Sequence, residues 1–340
     1  MKRYLLILKT FLKIKFIFKN PPKHELVIFD GDAIYDLKNF MYDYDFFILK
    51  TRIGSSSTLS PEADIDKVYF SFKLLRYFFK HYKGNIMTAY LVSLLEIISP
   101  KLVITFVDNS FKFSEIAKIL EKKITFVAIQ NAARHNILQF KHMFKKNLTK
   151  SDLTKNFYIP NFLCFGQFEI DHYKENEIKV KNFIKIGSLR YANFFHYIKK
   201  NKIKLKKFEY DICLISEPAD GRDLSYGEKG IESGSAQTIK YTIQFCIKNN
   251  MKLIFACKRD KKDSFKIHKG EFNFYKKYLT SDEYNYLVAN SFEQNIPGFS
   301  SYMATAQSKV VVGKCSTLLR ENLAIRGKIL ACNLTPTNIY

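Results

Sequence analysis

The segment that most constrains the fold is SKVVVGKCSTLLRENLAIRGKILACN, residues 308–333. A short apolar run, Val310–Val312, leads into Gly313 and a small polar loop, and after an amphipathic stretch a second apolar run begins at Ile329. This order of strand, turn, helix, turn and strand is that of a βαβ unit with two parallel strands. Ligands of such sheets bind at the carboxyl ends of the strands, where a loop opens into a helix.

Ser316 and Thr317 stand where the helix of this unit begins. Serine and threonine are favoured helix caps. The unpaired N–H groups of a first helical turn also suit a phosphate group. The segment alone is compatible with both interpretations, capping and phosphate binding.

Apolar runs and segments of helical periodicity alternate over the rest of the chain as well. The predicted strands are 25–29, 46–50, 102–107, 124–129, 161–167, 183–186, 210–215, 251–256, 310–312 and 329–332. The predicted helices are 66–82, 87–98, 113–121, 235–248, 275–289 and 301–308. Such alternation is typical of mainly parallel sheets with helices on both faces. We therefore predict the α/β class, with two doubly wound Rossmann-like domains that face a cleft.

The chain of 340 residues is long enough for two domains of ordinary size. The charged tract IKKNKIKLKK at 198–207 is the strongest candidate for a linker. We predict a basic amphipathic N-terminal segment, an N-terminal domain, a linker and a C-terminal domain at 1–24, 25–190, 191–208 and 209–340.

The 55 basic and 32 acidic residues give a formal net charge of +23. This charge predicts an anionic partner, which could be nucleic acid, a membrane surface or a phosphorylated substrate. A general lysine bias along the whole chain would produce the same charge. Because no zinc finger, aromatic RNA-binding motif or basic heptad region occurs, we expect no specific nucleic acid.

The N-terminus, MKRYLLILKTFLKIKFIFKNPPK, starts like a secretory signal peptide, but lysines interrupt its apolar region and no small-residue cleavage site follows. A basic helix resting on anionic lipid and an ordinary surface helix both fit this segment. No run of about 18 uncharged apolar residues occurs, so we expect no transmembrane helix.

The six cysteines are scattered and form no CxxC pair. This spacing favours buried thiols in a reducing cytoplasm over disulfides, and we expect no metal site. The expected location is the cytoplasm, with peripheral contact at the inner face of the cytoplasmic membrane as an alternative.

Polar residues stand at the carboxyl ends of two neighbouring predicted strands in the first half: Asp108, Asn109, Gln130 and Asn131. An open α/β sheet places its binding site at this edge. Such residues are also common turn formers, and the sequence leaves both interpretations open.

Several segments together resemble one superfamily. The tetrapeptide GSLR at 187–190 resembles the hinge that begins the second domain of many GT-B glycosyltransferases, and residues 308–330 resemble their nucleotide-sugar segment. The segments SPKLVITFVDNSFKFSEIAKIL and ITFVAIQNAAR resemble bacterial surface-carbohydrate biosynthesis proteins of the GT-B-like group. The resemblance covers about residues 25 to 335. It implies transfer of a sugar from a nucleotide-sugar donor to a glycan or lipid-linked acceptor, with no further cofactor.

The resemblance also implies a set of donor-binding residues: Gly187, Lys258, Arg259, Ser316, Thr317, Arg320 and Glu321. Ser316 and Thr317 would hold the diphosphate with their hydroxyls and adjacent N–H groups. Glu321 would accept hydrogen bonds from the ribose. The three basic side chains would neutralise the leaving nucleotide.

On the acceptor side, an inverting transferase needs a base. Asp108 is the first candidate because it ends a central strand, and Asp30 or Asp32 is the second. The other acceptor-side candidates are Asn109, Gln130, Asn131 and Arg134. The chain departs from the group in having Gln130-Asn131 where many members carry His-Gly, and in ending before the expected C-terminal crossover helices.

Three other functions remain open at this point. The segment VIFDGDA at 27–33 matches the opening of haloacid-dehalogenase phosphatases, in which Asp30 and Asp32 would act with magnesium. A nucleotide-sugar 2-epimerase shares the GT-B scaffold. A non-catalytic basic protein that binds membranes or nucleic acid would account for the charge alone.

Overall fold

A computed structural model describes residues 14–30, 37, 44–49, 66–133, 157–217, 228–257, 265–291, 298–332 and 334. The chain divides into two units. Unit 1 comprises Met1–Asn131 and Lys145–Leu189, and unit 2 comprises Ala132–Phe144 and Arg190–Tyr340.

Unit 1 is built on a six-stranded parallel sheet. The strands of unit 1, of which all but β1 and β4 belong to this sheet, are β1 (Ile14–Ile17), β2 (Leu26–Phe29), β3 (Phe46–Leu49), β4 (Asp66–Tyr69), β5 (Leu102–Thr105), β6 (Thr125–Ile129), β7 (Tyr158–Cys164) and β8 (Lys179–Lys185). Its helices are α1 (Phe72–His81), α2 (Ile86–Ile98), α3 (Phe111–Leu120) and α4 (Gln167–Glu175). The sheet has the order β3-β2-β5-β6-β7-β8, and β1 pairs with β4 in a separate parallel ribbon.

Both faces of strand β2 are buried. Leu26 and Ile28 point to one face and pack in a cluster with Ile129. On the other face Phe29 meets Phe113 of α3 edge-on, with ring centroids 5.6 Å apart. A sheet that is covered on both faces requires this continuous apolar run.

Unit 2 is built on a four-stranded parallel sheet. Its strands are β9 (Tyr210–Ile215), β10 (Leu253–Ala256), β11 (Ser308–Gly313) and β12 (Lys328–Ala331). Its helices are α5 (Leu189–Lys200, whose first residue belongs to unit 1), α6 (Glu228–Lys248), α7 (Phe265–Lys276), α8 (Ser281–Ala289), α9 (Ser300–Ala306) and α10 (Thr317–Ala324). The sheet has the order β10-β9-β11-β12.

The core of unit 2 also lies on both faces of its sheet. Cys213 of β9 packs in a cluster with Met303 of α9. Its neighbour Leu214 points to the opposite face and packs in a second cluster with Tyr275 of α7. The predicted class, α/β with two doubly wound parallel sheets, is confirmed.

Two helix predictions were too long. The segment 66–82 begins as strand β4, which pairs with β1, and the helix starts only after Ser71, whose Oγ accepts the N–H of Leu74 at 3.0 Å. The segment 275–289 is divided between α7 and α8, because Thr280 and Glu283 form a reciprocal capping box that starts a new helix.

Residues 191–208, predicted as a linker, hold most of helix α5. Ile198 is buried in a core cluster of unit 2, and Ile203 and Leu205 pack against the same cluster. The many lysines of this tract hid these three apolar positions, which bind the segment to the unit.

The basic N-terminal segment was predicted as a helix, and for residues 14–17 this is wrong. They form strand β1, which pairs with β4 in the register Ile14 to Asp66 through Ile17 to Tyr69. Residues 1–13 lie outside the described residues. None of the helices among the described residues combines the length and the hydropathy that a membrane span needs.

All six cysteines are free thiols, as their spacing predicts. Cys164, Cys213, Cys246 and Cys257 are buried. Burial raises the pKa of Cys246 to about 11, so this thiol stays protonated and unreactive at neutral pH.

Helices α1 and α2 are joined by a buried carboxylate, and this contact predicts a pH dependence. Glu96 Oε2 lies 2.9 Å from His81 Nε2, and its Oε1 accepts from Lys123 Nζ at 2.9 Å. Burial opposes ionisation of Glu96, but the hydrogen bonds from Lys123 and His81 outweigh burial and lower its pKa below the ordinary 4.5. A lowered folded-state pKa gives stability that is present above the unfolded-state value and lost as the pH falls through the folded-state value.

We expect Glu96→Gln to lower the free energy of unfolding by about 1–2 kcal/mol at pH 7. The difference from the wild type should be smaller at about pH 3, because the stability that a lowered pKa gives is lost as the pH falls through the folded-state value. Urea unfolding at the two pH values measures this. An equal difference at both values would show that the charge of Glu96 contributes nothing.

Candidate functional site

In each sheet the strand that comes first in the chain lies between the second and the third, so the winding of each sheet has a switch point. In unit 1 the winding reverses between β2 and β5, and in unit 2 it reverses between β9 and β11. Loops diverge at such a switch point and leave a crevice at the carboxyl ends of the two strands.

Asp30 follows β2 at the switch point of unit 1. It is 5% exposed, and its backbone N–H donates to the carbonyl of Leu49 at 2.9 Å. Its φ of 64° is unusual for a residue other than glycine. Asp32, the other acid of this loop, lies outside the described residues.

Asp108 and Asn109 follow β5 at the same switch point. Asp108 is 1% exposed, and its Oδ2 accepts from the hydroxyl of Tyr173 at 3.4 Å. Both residues lie in a turn in which Ser110 N–H donates to Val107 O at 3.0 Å. The predicted turn role is therefore present, and a buried carboxylate stands within it.

Gln130 follows β6 and joins it to the end of β7. Its Oε1 accepts from the N–H of Phe165 at 2.9 Å, and its own N–H donates to the carbonyl of Leu163 at 2.9 Å. Asn131 beside it is half-buried. These bonds assign Gln130 a structural role at the strand end. Arg134 lies outside the described residues.

Glu217 follows β9 at the switch point of unit 2 and binds the loop after β11. Its carboxylate accepts the N–H groups of Lys314 and of Cys315, the latter at 2.9 Å to Oε1. A Cβ at Gly313 would lie 3.0 Å from Glu217 Oε2, so the close approach of this side chain favours glycine. Two N–H groups of the loop before Ser316 therefore bind an internal carboxylate.

Sequence reasoning missed Glu217. It comes two residues after a buried strand, and the rule that singled out Asp108 after β5 applies to it equally. The signal was hidden because Glu217 opens the polar stretch between the predicted strand 210–215 and the predicted helix 235–248.

Ser316 and Thr317 open helix α10 as predicted. Ser316 Oγ accepts the N–H of Leu318 at 3.3 Å, which confirms its role as a cap. Thr317 Oγ1 accepts the N–H of Ala133 at 3.0 Å. Within the described ranges, no group accepts the backbone N–H of Ser316 or that of Thr317.

Glu321 lies one helical turn after Thr317. It is 5% exposed, and its carboxylate accepts from the hydroxyl of Tyr302 at 3.1 and 3.3 Å. Arg320 is half-buried on the same helix. The spacing of three and four residues brings Thr317, Arg320 and Glu321 to one side of α10.

Residues 127–338, well over half of the chain, match the model of a family described as "putative O-antigen biosynthesis protein". The chain belongs to this family. The matched range contains Glu217 and the loop that it binds, whereas Asp30 and Asp108 precede the range. None of the curated proteins matches the sequence.

Solved structures similar to this O-antigen biosynthesis family member include two transferases and a polymerase. A glycosyltransferase from Rickettsia africae ESF-5 has a TM-score of 0.45 and 10% identity, covering 93% of this chain and 80% of that one. The wall teichoic acid polymerase TagF has a TM-score of 0.47 and 7% identity, and the match covers 91% of this chain and 70% of that one. The E. coli heptosyltransferase WaaC with ADP-2-deoxy-2-fluoro heptose has a TM-score of 0.37 and 11% identity, and the match covers 93% of this chain and 90% of that one. Because these TM-scores lie below 0.5, the family match alone decides membership.

Gly187 of the family member lies two residues before the end of unit 1. Its φ of 73° is left-handed, so a side chain would be strained here even though the space around it is open. Lys258 and Arg259 lie outside the described residues. In the part of the chain that the structure describes, no group of three or more His, Cys, Asp or Glu side chains could hold a metal ion.

Proposed function

We propose that the protein is a glycosyltransferase of O-antigen assembly that moves a sugar from a nucleotide-sugar donor to a glycan or lipid-linked acceptor. The observation that carries the proposal is the start of α10, where two N–H groups without a described acceptor stand one turn before the buried Glu321. The membership of an O-antigen biosynthesis family and the resemblance of this segment to the nucleotide-sugar segment of GT-B enzymes support it.

The donor diphosphate binds at Ser316 and Thr317. Their N–H groups point out of the helix start, where the helix dipole favours negative charge. Both hydroxyl oxygens already accept hydrogen bonds, so their protons remain for phosphate oxygens. Positive charge comes from Arg320, Lys258 and Arg259. It stabilises the nucleotide more strongly as the nucleotide leaves, because negative charge then builds up on the diphosphate.

Glu321 binds the ribose of the donor. The carboxylate, which offers about four lone-pair sites, is buried one turn after Thr317 and accepts from the hydroxyl of Tyr302. Glu217 acts as a positioning residue, because its carboxylate holds the Lys314–Cys315 backbone in place. The donor requires no additional cofactor.

In the transfer step the acceptor hydroxyl attacks the anomeric carbon of the donor sugar. The new glycosidic bond forms as the bond to the diphosphate oxygen breaks, and the nucleotide leaves with that electron pair. Asp108 takes the proton of the hydroxyl, and Asp30 and Asp32 are the alternatives. Asn109, Gln130, Asn131 and Arg134 remain candidates for the acceptor side, of which Gln130 is the weakest because its side-chain oxygen is engaged.

A thermal-shift screen against UDP-, GDP-, CMP- and TDP-sugars tests the proposal. We expect one of these donors to stabilise the folded protein, by about 2.7 kcal/mol at 100 times its dissociation constant. Glu321→Gln is expected to weaken the binding of that donor at least about tenfold, since it removes the negative charge that accepts hydrogen bonds from the ribose hydroxyls. The variant keeps the volume of the side chain and a carbonyl that can accept from Tyr302.

Tyr302→Phe is the matched control, because it removes the hydroxyl that contacts Glu321 and leaves the carboxylate. It should retain the donor shift. The absence of a shift with every donor, in protein shown to be folded, would reject the transferase. A shift that survives Glu321→Gln unchanged would reject only the placement of the donor.

A further inference from the structure

We infer that unit 1 docks on an anionic lipid bilayer through a surface formed by the β1–β4 ribbon and helix α1. This aromatic–basic surface exposes six large apolar side chains: Phe16, Phe18, Phe70, Phe72, Leu75 and Phe79. The inference rests on unit 1 alone and does not depend on the proposed transfer reaction.

Phe72 and Phe18 are the two most exposed large hydrophobic side chains among the described residues. Phe72 is 95% exposed, Phe18 83% and Phe79 67%. Single exposed apolar residues are common on soluble proteins, whereas contiguous apolar patches mark interaction sites. The rings of Phe16 and Phe18 each lie 6.0 Å from the ring of Phe70, so three of the six form one cluster.

The ribbon and the helix form one continuous surface. Ser71 stands between Phe70 and Phe72, caps α1 and donates from its Oγ to Asn20 Oδ1 at 2.6 Å. This bond holds the segment after β1 against the start of the helix. The exposed residues of β1, of the end of β4 and of α1 are therefore neighbours.

Helix α1 presents an apolar stripe to the outside. Phe72, Leu75 and Phe79 are three and four residues apart, which places them on one face. Leu74 is buried at 3% exposure and anchors the opposite side of the helix in the unit. Among the described residues this stripe stays exposed, whereas Leu74 on another face of the helix contributes to the core.

A basic stripe runs beside the apolar one. Lys73, Arg76 and Lys80 repeat the same spacing and are all exposed. Lys15, Lys19 and Lys67 are exposed on the ribbon. Asp66, at the start of β4, is the one acidic residue in the sequence of the ribbon and helix α1, so these six basic side chains outweigh it.

This combination favours a bilayer over a protein partner. Aromatic side chains flanked by lysine and arginine are typical of interfacial helices, which bury the apolar face at the headgroup boundary and hold anionic headgroups with the basic face. Protein–protein interfaces are depleted in lysine at their centre. A second copy of the chain would also bring two strongly basic surfaces together.

Flotation of the full chain with vesicles tests the inference. We expect binding to vesicles of equal parts phosphatidylcholine and phosphatidylglycerol, and binding at least about tenfold weaker to pure phosphatidylcholine, since the basic stripe then lacks its counter-charge. Phe72→Ser/Phe79→Ser should weaken binding to the anionic vesicles at least about tenfold, because two exposed rings no longer insert. Both rings are solvent-exposed, so the fold should be unaffected, which circular dichroism checks.

Phe208→Ser is the matched control, since Phe208 is a 62% exposed phenylalanine in unit 2, and it should bind vesicles like the wild type. Wild-type protein that does not bind anionic vesicles would overturn the inference. Retained binding by the double variant would also overturn it and would assign the membrane contact to another part of the chain. A dimer in lipid-free solution that the double variant loses would reassign the surface to self-association.

Discussion

Glu217→Ala is expected to lower the free energy of unfolding of unit 2 by about 3 kcal/mol. The carboxylate accepts charge-assisted hydrogen bonds from the N–H groups of Lys314 and Cys315, and each such bond contributes about 1.5–3 kcal/mol. Water replaces part of this loss because Glu217 is only half-buried. Urea unfolding of the variant and the wild type measures the difference.

The same substitution should weaken the binding of the donor found in the thermal-shift screen, because the loop before Ser316 loses its hydrogen bonds to the Glu217 carboxylate. Asp282→Asn is the matched control, since it removes an exposed acid from the same unit and should stay within about 0.5 kcal/mol of the wild type. A Glu217→Ala protein as stable as this control would contradict an anchoring role. Tighter donor binding by the variant would show instead that Glu217 competes with the phosphate.

Asp108→Asn is expected to lower the rate of sugar transfer about 10²- to 10⁴-fold, the usual contribution of a general base. Asparagine keeps the size of the side chain and an oxygen that can accept from Tyr173, but it takes no proton. The thermal shift with the donor should be unchanged. Nucleotide release from that donor, in the presence of acceptor or of water alone, measures the rate.

Tyr173→Phe separates chemistry from packing at this position. It removes the 3.4 Å contact to Asp108 and leaves the carboxylate in place. We expect the rate of this variant to fall much less than that of Asp108→Asn. Equal losses in the two variants would mean that Asp108 acts only through its position in the turn.

The sequence predicted the fold where local patterns decide it. Strands β2 and β11 were predicted because continuous apolar runs lead into polar loops, and such runs are required of strands covered on both faces. Prediction failed at residues 66–69 and 14–17, where the aromatic-rich sequence also fits a helix. These two segments form strands because they pair with each other across more than fifty residues of sequence. A local sequence pattern cannot show such a pairing.

The candidate site likewise contains residues that the sequence predicts and one that it does not. The cap at Ser316 and the placement of Glu321 on the helix follow from the order of residues in one short segment. Glu217 lies 97 residues from Lys314, and only the order of strands in the sheet brings the two together. Spacing along the chain could identify the loop, but it could not identify the side chain that holds it.

The switch point of unit 2 has a consequence for how this unit unfolds. In chain order, β9 is the first strand of this sheet and β11 is the next-to-last. Because Glu217 follows β9 and binds the loop after β11, it joins early and late parts of the unit. A ligand bound between these ends is held only while both parts are in place. Its dissociation and the opening of the unit then become one cooperative event, and amide exchange in β9 should slow together with that in β11 when the ligand binds.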